Sequence, residues 1–232
     1  MKHPLIVGVL ALAALSVALA APKSAGTLDD LEATHLTFMR SEEKLARDVY
    51  LTLAEIYPDQ PAANVFTNIG DGSEQTHTDA VRDMLESYGL PDPNPDANDL
   101  PDNIGVFYIE GEFEGGEYGW YFQEKYDALV GLGSVDLLSA LYVGAFIEEL
   151  DMLDIIECPK VILENEDDVD VHNPVCGLNY TDEPSLQNLY NHLVDGSENH
   201  LRSFVKNIEK ITGDVYEAQV LTQGQVDAIL GR

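Results

Sequence analysis

Basic side chains are scarce in this chain, which has 12 Lys and Arg against 42 Asp and Glu and a formal net charge of -30 at pH 7. A surface this negative repels a phosphate backbone, so the composition argues against nucleic acid as a partner. The same excess suits cation attraction, solubility or a salt-rich environment. The 232 residues, 45% of them hydrophobic, are enough for the core of one globular domain.

Cysteine is almost absent: the chain has two, Cys158 and Cys176, both in one acidic segment. In an exported protein we expect them to pair, which would contribute about 3 kcal/mol in the chain-entropy model. A thiol metal site is the alternative, but no further Cys or well-spaced His supports it. The prediction is a disulfide-closed acidic insertion at about residues 158–182, with the charge run of a solvated loop. Calcium is a less favoured cation for this segment, because the run lacks the glycine placement and spacing of an EF-hand.

Long apolar runs are confined to the N-terminus, where Lys2 and His3 precede a stretch from Leu5 to Ala21. The stretch ends in Ala18-Leu19-Ala20, the small-x-small pattern of a cleaved signal peptide. We therefore expect a signal peptide at residues 1–21, a linker at 22–27 and an exported protein, whether secreted, periplasmic or on the cell surface. At roughly 17 residues the run is marginal for a bilayer span, and an uncleaved membrane anchor is the alternative.

Residues 28–232 show the three- and four-residue apolar spacing of amphipathic helices and predict an all-α domain. Long helices are expected over residues 28–57, 64–89, 134–156 and 184–212, with shorter ones at 123–132 and after a Thr222-x-x-Gln225 capping box. Residues 106–122 instead contain many aromatic side chains on both sides of Glu114-Gly115-Gly116-Glu117. This pattern predicts a β-hairpin in a loop insertion at about 92–122, packed on the helices as a lid.

Charged or imidazole side chains interrupt the apolar stripe of each long helix at mid-length. Glu74 and His77 lie three residues apart and so share a helix face, and Glu148 and Asp151 repeat that spacing. Buried charges need compensation, and a Glu-x-x-His pair inside a helix bundle is a known way to hold a metal ion. The predicted metal ligands are Glu43, Glu74, His77, Glu148, Asp151 and His200.

Simpler interpretations accompany these assignments. Glu43 could pair with Lys44 or Arg47 on a helix surface. The Glu-x-x-His glutamate could be exposed while its histidine is a hydrogen-bonded core residue. Glu149 is a borderline alternative on the third long helix. Surface positions are expected for His35, His172 and His192, and Glu42 is expected to be solvated or paired with Arg47.

Five segments carry the motifs of a known family: residues 38–50, 66–77, 140–151, 196–204 and 216–230. They resemble the prokaryotic ferritin-like domain family of uncharacterised function, a branch of the ferritin-like superfamily. The resemblance implies a ferritin-like four-helix bundle around a carboxylate-bridged di-iron or di-manganese centre. It gives single-glutamate roles to Glu43 and Glu148, one Glu-x-x-His pair to Glu74 and His77, and the histidine of a second pair to His200.

Ser197 departs from the family pattern, because the second Glu-x-x-His pair would have a glutamate there. Asp151 is the residue that could supply the missing oxygen ligand. The expected cofactor is one or two ions of iron or manganese, since carboxylate-rich ligation suits these metals.

The first functional hypothesis is an exported oxidoreductase that acts on ferrous iron, dioxygen or peroxide. A non-catalytic metal binder and a cell-surface interaction module, whose aromatic hairpin would meet a partner, are the alternatives. A homo-oligomer is compatible with each of them. The resemblance implies the fold more firmly than the activity, because ferritin-like bundles serve several functions.

Overall fold

Helices make up the regular structure of the described part of the chain. The computed structural model describes residues 26–94, 110–113, 115–167, 169, 172 and 174–232. Its helices are α1 (Asp30–Ile56), α2 (Asn64–Thr67), α3 (Gln75–Tyr88), α4 (Gly119–Gly133), α5 (Leu137–Ile156), α6 (Lys160–Asn165), α7 (Pro184–Thr212) and α8 (Gln223–Leu230). A π-helical segment, Asn68–Glu74, joins α2 to α3. The predicted all-α class agrees with this architecture.

Four long helical segments surround one apolar core: α1, the run from α2 through α3, α5 and α7. Helix α5 packs along α7, α1 packs along α3 and the π-helical segment, and α4 lies against both α1 and α5. Gly144 lets α5 and α7 approach closely, because a Cβ at this position would overlap the Phe204 ring. Met39, Tyr50 and Phe204 are fully buried in this core. The mid-length positions of the long helices therefore face one shared interior.

Side chains determine where several helices begin. Asp29 accepts the backbone N–H of Glu32, and the Glu32 side chain accepts the N–H of Asp29, so a capping box starts α1. Asp136 caps α5 by accepting the N–H of Ser139, so this helix begins later than predicted. The predicted capping box at Thr222 is present at the start of α8.

The predicted β-hairpin over residues 106–122 is wrong. Residues 106–109 and 114 lie outside the described part of the chain, and the described remainder contains no strand. Gly119 to Phe122 instead form the first turn of α4. The Phe122 ring packs against Phe38 of α1, with centroids 4.7 Å apart. Phe122 and the neighbouring Tyr118 are thus buried by packing on α1 without a sheet.

Two buried basic side chains of α1 contact described residues within the 92–122 insertion. Arg40 donates to Oδ1 of Asp92 at 3.0 Å and to Oδ2 at 2.9 Å, a bidentate contact, and also to the Asn94 carbonyl at 3.0 Å. Lys44 pairs with Asp48 and donates a hydrogen bond to the Glu112 carbonyl at 3.0 Å. These side chains therefore tie described residues of the insertion to α1.

The predicted disulfide between Cys158 and Cys176 is confirmed. It closes an insertion that is more than a solvated loop, because the segment contains α6, whose Val161 and Ile162 are buried. Glu166, just after α6, accepts a hydrogen bond from the Tyr118 hydroxyl at 2.8 Å. The insertion therefore packs on the bundle through apolar contacts as well as through the bridge.

Glu149 attaches the segment before α8 to α5. Its buried carboxylate accepts the backbone N–H groups of Gln219, Val220 and Leu221 at 2.7 to 3.0 Å. It also accepts the Tyr216 hydroxyl at 2.7 Å. Hydrogen bonds to a charged acceptor are among the stronger ones. Glu149, which was the borderline alternative to Glu148, thus holds the C-terminal segment on α5.

The predicted signal peptide lies outside the described residues. Within the described ranges, no helix is long and apolar enough to cross a membrane. Cleavage, export and anchoring therefore stay predictions from the sequence.

His35 is fully buried and not at the surface as predicted. Its Nε2 donates to the Asp154 carbonyl at 2.9 Å, which leaves Nδ1 to accept from the Tyr190 hydroxyl at 2.8 Å. Burial lowers the pKa of His35 to about 4, although the bond to Asp154 opposes this shift. The imidazole is therefore neutral in the folded protein near neutral pH.

The stability of the fold should decrease in acid through His35. The unfolded chain takes up a proton on this imidazole near pH 6.5 and the folded chain only near pH 4, so stability is lost as the pH falls through this window. The loss should be on the order of 3 kcal/mol. His35→Gln should remove it, as measured by urea unfolding at pH 7 and pH 4. The exposed His172→Gln should keep it, and equal pH dependence in His35→Gln and the unmodified protein would contradict the prediction.

Candidate metal centre

Five of the six predicted ligands lie together in the bundle interior. Glu43 comes from α1, Glu148 from α5 and His200 from α7. Glu74 is the last residue of the π-helical segment, and His77 lies in the first turn of α3. Their exposed fractions lie between 1% and 6%. They come together because each occupies a core-facing position on its own helix, the pattern from which they were predicted.

Glu43, Glu74 and His77 form the first cluster. Nδ1 of His77 lies 3.3 Å from Oε2 of Glu43 and 3.2 Å from Oε2 of Glu74. The two neighbouring cations on α1, which were the alternative partners of Glu43, form ion pairs with Asp48. Glu43 therefore faces an imidazole in the interior and not a cation at the helix surface.

Glu74, Glu148 and His200 form the second cluster. Nδ1 of His200 lies 2.8 Å from Oε1 of Glu74 and 3.3 Å from Oε2 of Glu148. In each cluster, one ligand atom from every member lies within 4.8 Å of the others. Glu74 belongs to both clusters and turns one oxygen toward each imidazole. This is the arrangement of a carboxylate that could bridge two metal ions.

Asp151, the sixth predicted ligand, belongs to neither cluster. Its Oδ2 accepts a hydrogen bond from the Ser197 hydroxyl at 2.6 Å. Its Oδ1 is buried and has no hydrogen-bond partner, and the same holds for Oε1 of Glu43. Ser197, where the ferritin-like resemblance implied a glutamate, instead hydrogen-bonds to an aspartate of the neighbouring helix α5.

Tyr50 and Ser73 also contact the clusters and were not predicted. The Tyr50 hydroxyl donates to Oε1 of Glu148 at 2.6 Å, and the Ser73 hydroxyl lies 2.7 Å from Nε2 of His200. Tyr50 stands seven residues after Glu43, two turns along the same helix face, so helical spacing could have found it. Ser73 could not be found this way, because a π-helical segment changes the register of the side chains.

The clusters bury more carboxylates than cations. Burial alone would lower the pKa of His77, but the carboxylates of Glu43 and Glu74 raise it to about 12. Glu148 and Glu74 likewise overcome the effect of burial and raise the pKa of His200 to about 10. The two protonated imidazoles thus offset part of the charge of the three carboxylates. A metal ion would replace these protons, so metal binding should release them.

Glu42 is buried on α1 and is not solvated as predicted. Burial, together with the carboxylates of Asp154 and Asp151, raises its pKa well above the ordinary value. Burial also raises the pKa of Asp154 to about 7. Glu42 is covered because α4, distant in sequence, packs on this side of α1. The helical period of α1 alone could not show this.

Gly196 of α7 makes room for the imidazole of His77. A Cβ at position 196 would overlap the His77 ring. His192, one turn earlier on α7, is exposed as predicted and packs edge-on against His77 with centroids 5.7 Å apart. The His77 ring is therefore held between α3 and α7.

Comparison with known proteins finds relatives whose descriptions assign no activity. The family described as an uncharacterized protein domain, DUF2202, matches residues 32–232. The uncharacterized protein MJ0754 of Methanocaldococcus jannaschii is 35% identical over 203 residues, which are 88% of each chain. The crystal structure of hypothetical protein MJ0754 has a TM-score of 0.66 at 34% identity and covers 92% of this chain and 98% of that one.

Replacing Gly196 with Ala should move the His77 ring away from its carboxylate partners. The pKa of His77 should then fall from about 12. An NMR titration of the imidazole should show a midpoint lower by about one pH unit or more. Gly131→Ala on α4 is the matched control, because a Cβ there meets nothing within 4 Å. An unchanged His77 titration in Gly196→Ala would show that the close contact does not position the ring.

Proposed function

The chain belongs to the DUF2202 family of uncharacterized domains, and we propose that it is an exported, ferritin-like protein that binds two metal ions and acts as an oxidoreductase. The observation that carries this proposal is the shared position of Glu74, whose two oxygens face imidazoles of two different clusters. A single-metal site would not need a carboxylate placed in this way.

The donor atoms of the two clusters fit iron or manganese. Carboxylate oxygens with one imidazole nitrogen per cluster are a ligand set that these metals accept, and thiolate, which soft metals prefer, is absent from both clusters. The buried oxygen Oε1 of Glu43 lacks a hydrogen-bond partner, and a cation in the first cluster would satisfy it. One ion would be held by Glu43, Glu74 and His77, and the other by Glu74, Glu148 and His200.

Bound iron or manganese would supply one-electron redox chemistry toward dioxygen or peroxide. The chain's own residues orient the ligands and keep the site dry. Tyr50 fixes Glu148 by a hydrogen bond, and its ring packs with Phe66 and Phe204 in an apolar wall beside the site. The exclusion of water strengthens every electrostatic interaction within the site.

Metal analysis of variants purified without chelator tests the shared position of Glu74. The unmodified protein should hold two ions. Glu74→Gln should lose both, whereas Glu43→Gln and Glu148→Gln should each keep one, because each removes a ligand from a single cluster. Glu149→Gln, a buried glutamate bound to the C-terminal segment, is the matched control and should keep two.

Circular dichroism should show unchanged helical content in these variants. If the unmodified protein binds no transition metal after aerobic or anaerobic loading, the proposal is wrong. If Glu74→Gln keeps as much metal as Glu149→Gln, the shared-carboxylate arrangement is wrong. Oxidation of added ferrous iron by dioxygen or peroxide then separates an oxidoreductase from a metal binder without turnover.

A further inference from the structure

A row of carboxylates leads along α5 from the metal centre to the surface. Glu148, Asp151, Asp154 and Glu157 follow one another at three-residue intervals, so each lies next to the following one on the helix. Glu148 belongs to the second cluster, Asp151 and Asp154 are buried, and Glu157 is exposed. The row therefore connects solvent with the interior.

Glu42 of α1 completes this row from the facing helix. Its side chain contacts the Asp154 carboxylate and lies within electrostatic reach of Asp151. Asp151 in turn lies within reach of Glu43 and Glu148. Each carboxylate between the surface and the metal centre thus has another carboxylate beside it on the inner side.

A small cavity lies beside this row, between α1, α4 and α5. Its volume is about 20 Å³, and its lining includes Glu42, Asp151, Tyr121 and Lys125. This space accommodates one water molecule or one ion. Oε2 of Glu42 and Oδ1 of Asp151 are buried and lack hydrogen-bond partners. Two buried acidic side chains that line one ion-sized cavity, each with an unpartnered oxygen, indicate a position for a cation.

We propose that Glu42, Asp151 and Asp154 form an access path through which divalent cations pass, one at a time, between the surface and the two-metal centre. This inference rests on the proposed function, because the centre supplies the destination. Lys125 also lines the cavity and acts electrostatically on Asp154. Its positive charge repels an incoming cation and so limits the rate of passage.

Loading kinetics test the path separately from the centre. Protein freed of metal is mixed with Co²⁺ in a stopped-flow instrument, the absorption of bound Co²⁺ is followed, and a chelator then extracts the ion. Glu42→Gln and Asp154→Asn should each slow loading and extraction about tenfold, since each raises the barrier in both directions. The number of bound ions and the Kd should stay unchanged. Glu164→Gln, which removes an exposed charge in the acidic insertion, should leave both rates unchanged.

Lys125→Met is a second variant, at a half-buried position of α4. It should speed loading and extraction several-fold. Rates equal to those of the unmodified protein in Glu42→Gln and Asp154→Asn would overturn the path and leave the two-metal centre intact. Loss of an ion at equilibrium in Glu42→Gln would also overturn it, because Glu42 would then be a ligand. Failure of the unmodified protein to bind Co²⁺ would overturn the proposed function itself.

Discussion

The carboxylate of Glu74 links the helices of this bundle because its two oxygens face imidazoles on different helices. His77 belongs to α3 and His200 to α7, and both rings turn Nδ1 toward it. Burial of Glu43 and Glu148 beside it would be unfavourable without these rings, since like charges in a low dielectric repel strongly. Gly196 leaves space for the ring of His77, and the Ser73 hydroxyl lies within hydrogen-bond distance of the His200 ring. These two contacts help to keep the rings in place.

The acidic and the basic side chains in the middle of α1 point in different directions. Nearly every residue of its middle section is buried, so that this helix is covered on all sides. Glu42 and Glu43 point toward α5 and the candidate metal centre, whereas Arg40 and Lys44 contact described residues of the 92–122 insertion. Neither glutamate is neutralised by these two cations, because Arg40 pairs with Asp92 and Lys44 with Asp48.

Sequence reasoning succeeded where local spacing decides the outcome. The apolar period placed the four long helices, and the i, i+3 spacing put Glu74 and His77 on one face. It failed where a distant segment decides. Glu42 and His35 looked exposed on α1, but α4 covers the first and Tyr190 of α7 contacts the second.

The hairpin prediction failed for a related reason. Aromatic residues around glycines fit a pleated sheet or a helix equally well when the partner surface is unknown. In this protein that surface is α1, whose Phe38 packs on Tyr118 and Phe122. The role of the clustered side chains as metal ligands is still a prediction.

Glu149 has a consequence for the order in which the protein assembles. During synthesis it emerges long before its hydrogen-bond donors, which are 70 to 72 residues further along the chain. Until these donors are made, the carboxylate lacks its partners and favours water over the interior, which opposes the docking of α5. Glu148, the preceding residue, is therefore enclosed only when this later segment can dock. The bundle can close over its acidic interior only after nearly the whole domain is available to fold.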